Sequence, residues 1–378
     1  MAISLNVDIF MSTMKHQTRL VLIMVNVVIL AILPVGFHMV VLNVPTPVVQ
    51  NAIRTSLLQE FNYYIEQNAL NVLWSLIVSS QSIGALIGCY FILPMIGSYG
   101  TKSALLLLSN SVLVLGSITM ASAFTTLTPF LLLGGRILTG VYVGLACSLV
   151  PMYVHEIAPP DLRGAISCSV HIAVCIGSAL GAILSLDSIL GGTEVWGILM
   201  LVPAGIGALQ ILLSIYIIPE SPNYYIRYQH CGKASKSVDF YYHPSKDEHY
   251  NAVIYYEQLV PEMPEQLSIK RVFSIPAIRN DVFIGMVVSA AQVFSGKSQW
   301  SSYCFGVAFL IYGVGYNLGV GPLAYFIPAE LVERDAASVA LGAAVSANWV
   351  STLFTTLVYY PLNEAVGGYS YLLFAIPT

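Results

Sequence analysis

Long uncharged stretches alternate along this 378-residue chain with short connectors that hold nearly all of its charge. Leu20–Leu42, Val72–Pro94, Ala165–Leu186, Val195–Ile218, Tyr303–Ala329 and Ala336–Leu362 contain no Asp, Glu, Lys or Arg. A helix crossing a hydrocarbon core of about 30 Å needs about 20 such residues, because its backbone polar groups must be satisfied within the segment. Each of these runs is long enough. Ser103–Val154 is too long for one span, holds Arg136 as its only charge, and is divided at FTTLTP (Phe124–Pro129) into two helices. Val282–Gly296 and Val366–Thr378 reach only roughly 22 and 20 Å at 1.5 Å per residue and fall short of crossing. The pattern therefore predicts an all-α membrane protein with eight full helices and two short ones. No cleaved leader is expected, since the first apolar run has full span length and no small-residue cleavage site follows it.

Three parts follow from the same pattern: a six-helix transmembrane bundle over residues 1–218, a polar linker over 219–280, and an incomplete second bundle over 281–378. The linker mixes charged and apolar residues, which favours short surface helices over disorder. Pro151 and Tyr153 are expected to close one end of the fourth helix.

Composition agrees: 57% of residues are hydrophobic, 9% are charged, and the mean hydropathy is +0.77, outside the range of soluble domains. The net charge of −4 gives no reason to expect nucleic acid as a partner. With a cytoplasmic N-terminus, Lys15, Arg19, Lys102, Arg163, Arg227, Lys233, Lys236, Lys246, Lys270, Arg271, Arg279 and Arg334 lie inside, against Arg54 and Lys297 outside. That asymmetry sets the expected orientation of a multi-pass protein in the lipid bilayer. All six cysteines fall in spans or on the inner side, so no disulfide framework is implied. No cofactor, metal or covalent chemistry is expected.

Acids and arginines recur at the inner helix ends. PMYVHEIAPPDLRG (Pro151–Gly164) places Glu156 and Arg163 after the fourth helix, PESP places Glu220 after the sixth, and PAELVER places Glu330 and Arg334 near the second bundle. Ion pairs among them could latch two bundles together in one state and release in another. Arg136, within a span, joins this set as a candidate for the conformational switch. The plainer reading is that such charges end helices and anchor them at headgroup level.

The run GGRILTGVYVGLACSLVPMYVHEIAPPDLRGA (Gly134–Ala165) resembles the fourth-helix signature of the sugar-porter branch of the major facilitator superfamily, closest to its animal facilitative hexose transporters. LWSLIVSSQSIGALIG, LDSILGG, PESPNYYI and GVGPLAYFIPAEL with a later Asn348–Trp349 pair support it, so the resemblance covers about Leu20–Thr378. It implies a two-bundle major facilitator fold, alternating access, a hexose substrate, and a plasma-membrane location. By position it assigns sugar contacts to Gln292 in the seventh helix, Tyr325 in the tenth, and Trp349 beside Asn348 in the eleventh. His171 falls where the fifth helix usually carries a glutamine, and Asn317 where the tenth often carries a glutamate. Neutral amides suit hydroxyls that both donate and accept, and an aromatic face covers the apolar side of a sugar ring. Each of these residues could instead be interior packing or helix–helix glue. Proton-coupled relatives carry an acid in the first helix; this chain has none between Leu20 and Leu42, and His38 is the nearest matching position. Passive facilitation is favoured, with proton symport as an alternative.

The chain also departs from that family. GSYGTK (Gly97–Lys102) keeps one cation where the family loop has several, and Ala337 stands where a second-half arginine is usual. Between Gly296 and Tyr303 the family places about two further helices, whereas this chain has only KSQWSS. A six-helix first bundle with a truncated second bundle is the expectation. It leaves open a transport-inactive isoform that acts through association with other transporter chains.

Overall fold

The computed structural model describes residues 26–126, 128–157, 160–227, 231–242, 332 and 337–366. Among them every regular element is helical. The first helix, α1, is seen over Asn26–Val40. It is followed by α2 (Thr46–Phe61), α3 (Gln67–Tyr99), a π-helical segment (Ser103–Ser109) continuing into α4 (Asn110–Thr126), and α5 (Pro129–Ile157). Then come α6 (Pro160–Leu184), α7 (Trp196–Ile217), the short α8 (Pro222–Arg227) and α9 (Cys231–Tyr242), and α10 (Ala337–Val366). Four described helices are long and apolar enough to cross a membrane: Gln67–Ile92, Ser103–Thr126, Pro129–Val154 and Trp196–Tyr216. The described parts of α1, α6 and α10 add three shorter apolar segments.

The break expected within Phe124–Pro129 falls between Thr126 and Pro129, and the expected short linker helices are α8 and α9. One expectation is corrected. The fourth transmembrane helix does not close at Pro151 but runs through it to Ile157, as α3 runs through Pro94 to Tyr99. Neighbouring helices can accommodate the freed backbone groups of a membrane helix, so proline is a weak stop signal there. The connector between α1 and α3 also holds a helix, α2, with Pro47 in its first turn and Val49 and Ile53 presented to the core. Arg54 of α2 donates to Gln67 at the start of α3 at 2.5 Å, joining the two elements.

Glycines set how closely the helices pack. A Cβ on Gly140 would lie 2.2 Å from the Gln81 carbonyl oxygen, and one on Gly84 would lie 2.1 Å from that of Ile137. Together with Gly144 against Ala85, these contacts make α3 and α5 parallel neighbours in backbone contact. Gly36 against Val174 and Gly177 against Leu33 join α1 to α6 in the same way. By contrast α4 runs antiparallel to both α5 and α7, as Gly116 against Thr139 and Gly197 against Phe124 show. The result is a six-helix bundle, α1 and α3 to α7, whose outer faces expose Ile83, Ile87, Tyr90, Leu209, Leu212 and Ile215 as hydrocarbon would require.

Polar side chains stitch the interior. Tyr142 donates to the Ala31 carbonyl at 2.5 Å, Ser178 to Gly36 at 3.1 Å, and Gln210 to Val27 at 3.3 Å. Asn110 donates to Gln210 at 2.8 Å, pinning α4 to α7. α10 packs against α3 and α5, and its Leu341, Val345 and Trp349 belong to the same buried cluster as Val27, Cys89 and Tyr142.

Candidate functional site

Two polar centres stand out, one inside the bundle and one at the end that carries Gly100 and Glu220. In the first, Arg136 of α5 and His38 of α1 are both buried, and an Arg136 terminal nitrogen donates to the His38 carbonyl at 2.8 Å. The His38 ring stands edge-on to Phe37, and neither of its nitrogens has a hydrogen-bond partner among the described residues. Thr139, one turn along α5, donates to the Arg136 carbonyl. Arg136 therefore acts as a clamp between the fourth and first transmembrane helices. It lies 20 residues from Glu156 on one helix, about 30 Å at 1.5 Å per residue, so the two cannot pair.

In the second centre Glu220 is buried, although it lies in the connector between α7 and α8. Its carboxylate accepts from the Lys102 backbone N–H at 2.6 Å, the Ser103 N–H at 3.3 Å, the Ser103 hydroxyl at 3.2 Å and the Ser221 N–H at 3.2 Å. An acid beside the unpaired N–H groups that open a helix is favourable for both. Gly100 makes the turn possible: its φ is +84°, and a Cβ there would come within 3.0 Å of both Glu220 and Tyr224. Burial pushes the Glu220 carboxyl above its ordinary range, and the hydrogen bonds from Lys102, Ser221 and Ser103 pull it partly back. Burial holds the Lys102 amine below its usual value, with the Glu220 charge opposing.

Helix α9 docks on the same connector. Ser237 donates to the Glu220 carbonyl at 2.6 Å, and Tyr241 donates to that of Pro219 at 2.9 Å. The Tyr153 and Tyr241 hydroxyls meet at 2.8 Å, tying α9 to the end of α5.

The residues expected to hold sugar are placed in part. His171 is buried on α6, one turn before Val174, whose carbonyl abuts Gly36 of α1. Trp349 is buried and Asn348 half-buried on α10. Gly342, Val345, Ser346 and Trp349 recur on α10 at helical spacing. A Cβ on Gly342 would lie 3.7 Å from Ile92 and 3.8 Å from the Cys89 carbonyl oxygen. The Cys89 thiol reaches Gly144 of α5 at 3.8 Å and hydrogen-bonds Ser346 of α10, so three helices meet there. Gln292, Asn317, Tyr325, Glu330 and Arg334 lie outside the described residues. The backbones of Glu156 and Arg163 sit in the last turn of α5 and the first turn of α6. Among the described residues Glu220 meets Lys102 and Ser103, and Arg136 meets the His38 backbone, as two separate centres. The Glu220 cap, the Asn110–Gln210 pair and the Cys89 junction were not foreseen, since each joins residues at least 100 positions apart or a backbone that no side-chain motif announces.

Comparison with known proteins converges on one family. The model of the family described as "Sugar (and other) transporter" matches residues 24–299 and 296–377. Facilitated glucose transporter member 4 of solute carrier family 2 from Homo sapiens is 27% identical over 92% of this chain and 83% of its own. Member 2 from Bos taurus is 33% identical over 67% of this chain and 50% of its own. Among solved structures, the proton:xylose symporter XylE bound to 6-bromo-6-deoxy-D-glucose superposes with a TM-score of 0.70 at 17% identity, covering 96% of this chain and 94% of that one. XylE from E. coli in an inward-open conformation gives 0.66 at 19% identity, covering 95% and 93%.

Proposed function

Since the chain belongs to the sugar transporter family of the major facilitator superfamily, we propose that it carries a hexose, glucose or fructose, by alternating access as a uniporter. Sugar transport follows from the family; the choice of uniport rests on one observation. The buried Arg136 clamp is met by the backbone carbonyl of His38, and α1 offers it no carboxylate that could take up and release a proton. Hexose as substrate class is supported by the names of the relatives, which are glucose transporters.

The site would be completed by His171, Gln292, Asn317, Tyr325, Asn348 and Trp349 between the bundles. The N-terminus and the Glu220 centre would face the cytoplasm, as the excess of Lys and Arg there supports, and the plasma membrane is the expected location. Glu220 is hydrogen-bonded within the first bundle and Arg136 lies about 30 Å along α5 from Glu156, so the inter-bundle latch would fall to Glu156, Arg163, Glu330 and Arg334.

One observation favours a second reading, a chain with a shortened second bundle that associates with other transporters instead of transporting. The family model matches in two stretches that meet at residues 296–299. The 429 positions aligned with member 4 also exceed the 92% of this 378-residue chain that they contain, about 348 residues, by about 80. That is roughly the length of two transmembrane helices with their loops.

Uptake of labelled D-glucose and D-fructose into liposomes holding the purified chain separates the readings. Uniport gives saturable uptake that is lost in Gln292→Ala and brings no acidification. Uptake that collapses with the proton gradient establishes symport, and no saturable uptake establishes the transport-inactive reading.

A further inference from the structure

The third transmembrane helix is anchored twice before it is half complete. At its start, Glu220 caps the Lys102 and Ser103 N–H groups. From Asn110 onward it is fixed by the Asn110–Gln210 hydrogen bond, by Gly116 against Leu138 and Thr139, and by the edge-on contact of Phe124 with Trp196 at 5.2 Å. Between these anchors Ser103–Ser109 winds as a π-helix. In a π-turn the carbonyl of residue i is reached by the N–H five residues on, so the segment holds more residues per turn than an α-helix, and such segments are rare and short. Here side chains help to hold it: Ser109 donates to the Leu105 carbonyl, and Asn110 donates to that of Leu106 at 2.9 Å. Side chains that donate to carbonyls four residues back offer the backbone an alternative to its regular ladder. Ala104, Leu105, Leu106 and Ser109 are buried, so this winding also decides which side chains face α5 and α7.

We infer that Ser103–Ser109 is a register joint: the Glu220 cap holds a surplus residue in its wide turns, and release of the cap lets the segment rewind as α-helix. Because Asn110–Thr126 is clamped along its length, the rewinding is taken up at the opposite end, where the Gly100 turn joins α3. One residue of an α-helix corresponds to about 100° of rotation and 1.5 Å of rise. Thr101–Ala104 would therefore turn by about that angle, bringing Ala104 out of the core. The connector that carries Glu220 also carries α8 and α9, so displacement of these short helices would be transmitted to the third transmembrane helix as a rotation. The joint belongs to the first bundle and is independent of which solute the chain carries.

The test uses the full chain in detergent with Ala104→Cys, its labelling by a methanethiosulfonate reagent followed at residue 104 by peptide mass spectrometry. Ala104 is fully buried, so labelling in this background is expected to be slow. Adding Glu220→Ala should raise the rate by about tenfold or more. Deleting Leu107 from that double variant removes the surplus residue and should restore slow labelling. Equal rates with and without Leu107 would mean that cap loss merely frays the helix, and the joint is then rejected; so is it if Glu220→Ala leaves the rate unchanged. Deletion of Leu107 with Glu220 intact provides the folding control. The inference requires a monodisperse protein at least as heat-stable as the parent, whereas deletion from a regular α-helix would misplace every face beyond it, and a chain that fails to fold overturns the inference.

Discussion

The Glu220 carboxylate accepts the Lys102 backbone N–H at 2.6 Å, so a residue placed after the sixth transmembrane helix begins the third. Replacing it with alanine leaves the Lys102 and Ser103 N–H groups without an acceptor in a partly buried turn. A lost helix cap costs about 1–2 kcal/mol. Glu220→Ala should therefore lower the thermal midpoint in detergent, and Glu220→Gln, which keeps one acceptor oxygen, should lower it less.

The same carboxyl should impose a pH dependence. Burial raises its pKa above the ordinary 4.5, so the folded chain holds this proton more firmly than the unfolded chain. The resulting stability is fully present below the unfolded value and is lost as pH rises through the raised folded value. Midpoints measured from pH 4 upward should fall with rising pH in the parent relative to Glu220→Gln, which has nothing to titrate there. Parallel curves would show that the backbone donors cancel the effect of burial, and a midpoint that rises with pH that they outweigh it.

Glycine contacts predict a contrast between two neighbouring positions on α5. A Cβ on Gly140 would overlap the Gln81 carbonyl oxygen at 2.2 Å, whereas one on Gly134 meets nothing within 4 Å. Gly140→Ala must push α3 and α5 apart and should cost about 1–3 kcal/mol, as overpacking does. Gly134→Ala should be neutral or stabilise by about 0.5–1 kcal/mol through helix propensity. Thermal unfolding of the two variants side by side decides the matter.

Asn110 and Gln210 should be energetically coupled. Interhelical hydrogen bonds within membranes average about 0.6 kcal/mol, with a maximum near 1.7. A double-alanine cycle in denaturant should return a coupling in that range, and an additive pair would show that the 2.8 Å contact contributes nothing.

These contacts mark where the sequence could and could not be read. The helices were legible because uncharged runs of span length have few alternatives, and the split near Phe124–Pro129 was legible because threonines and a proline interrupt the apolar pattern there. Pro94 and Pro151 misled, since membrane helices tolerate proline that a soluble helix would not. Helix α2 was not read from the sequence, although Pro47, Val49 and Ile53 carry its signal. Glu220 stands out in the sequence as an acid at a helix end, but its partners are largely backbone groups that no side-chain pattern reveals. Arg136 was noticed for being charged within a span; that it clamps a carbonyl of α1 depends on a fold in which residues 38 and 136 meet.

The seam at Cys89 has a consequence for how the protein is made. Leu341, Val345 and Trp349 complete the cluster built by α1, α3 and α5, yet 180 residues separate Ile157 from Ala337. A ribosome adding about 5–20 residues each second needs roughly 10–35 s to supply them. For that interval α1, α3 and α5 stand in the bilayer without α10 on their Cys89–Ile92 face, and lipid or a chaperone would have to stand in for it until the late helix emerges.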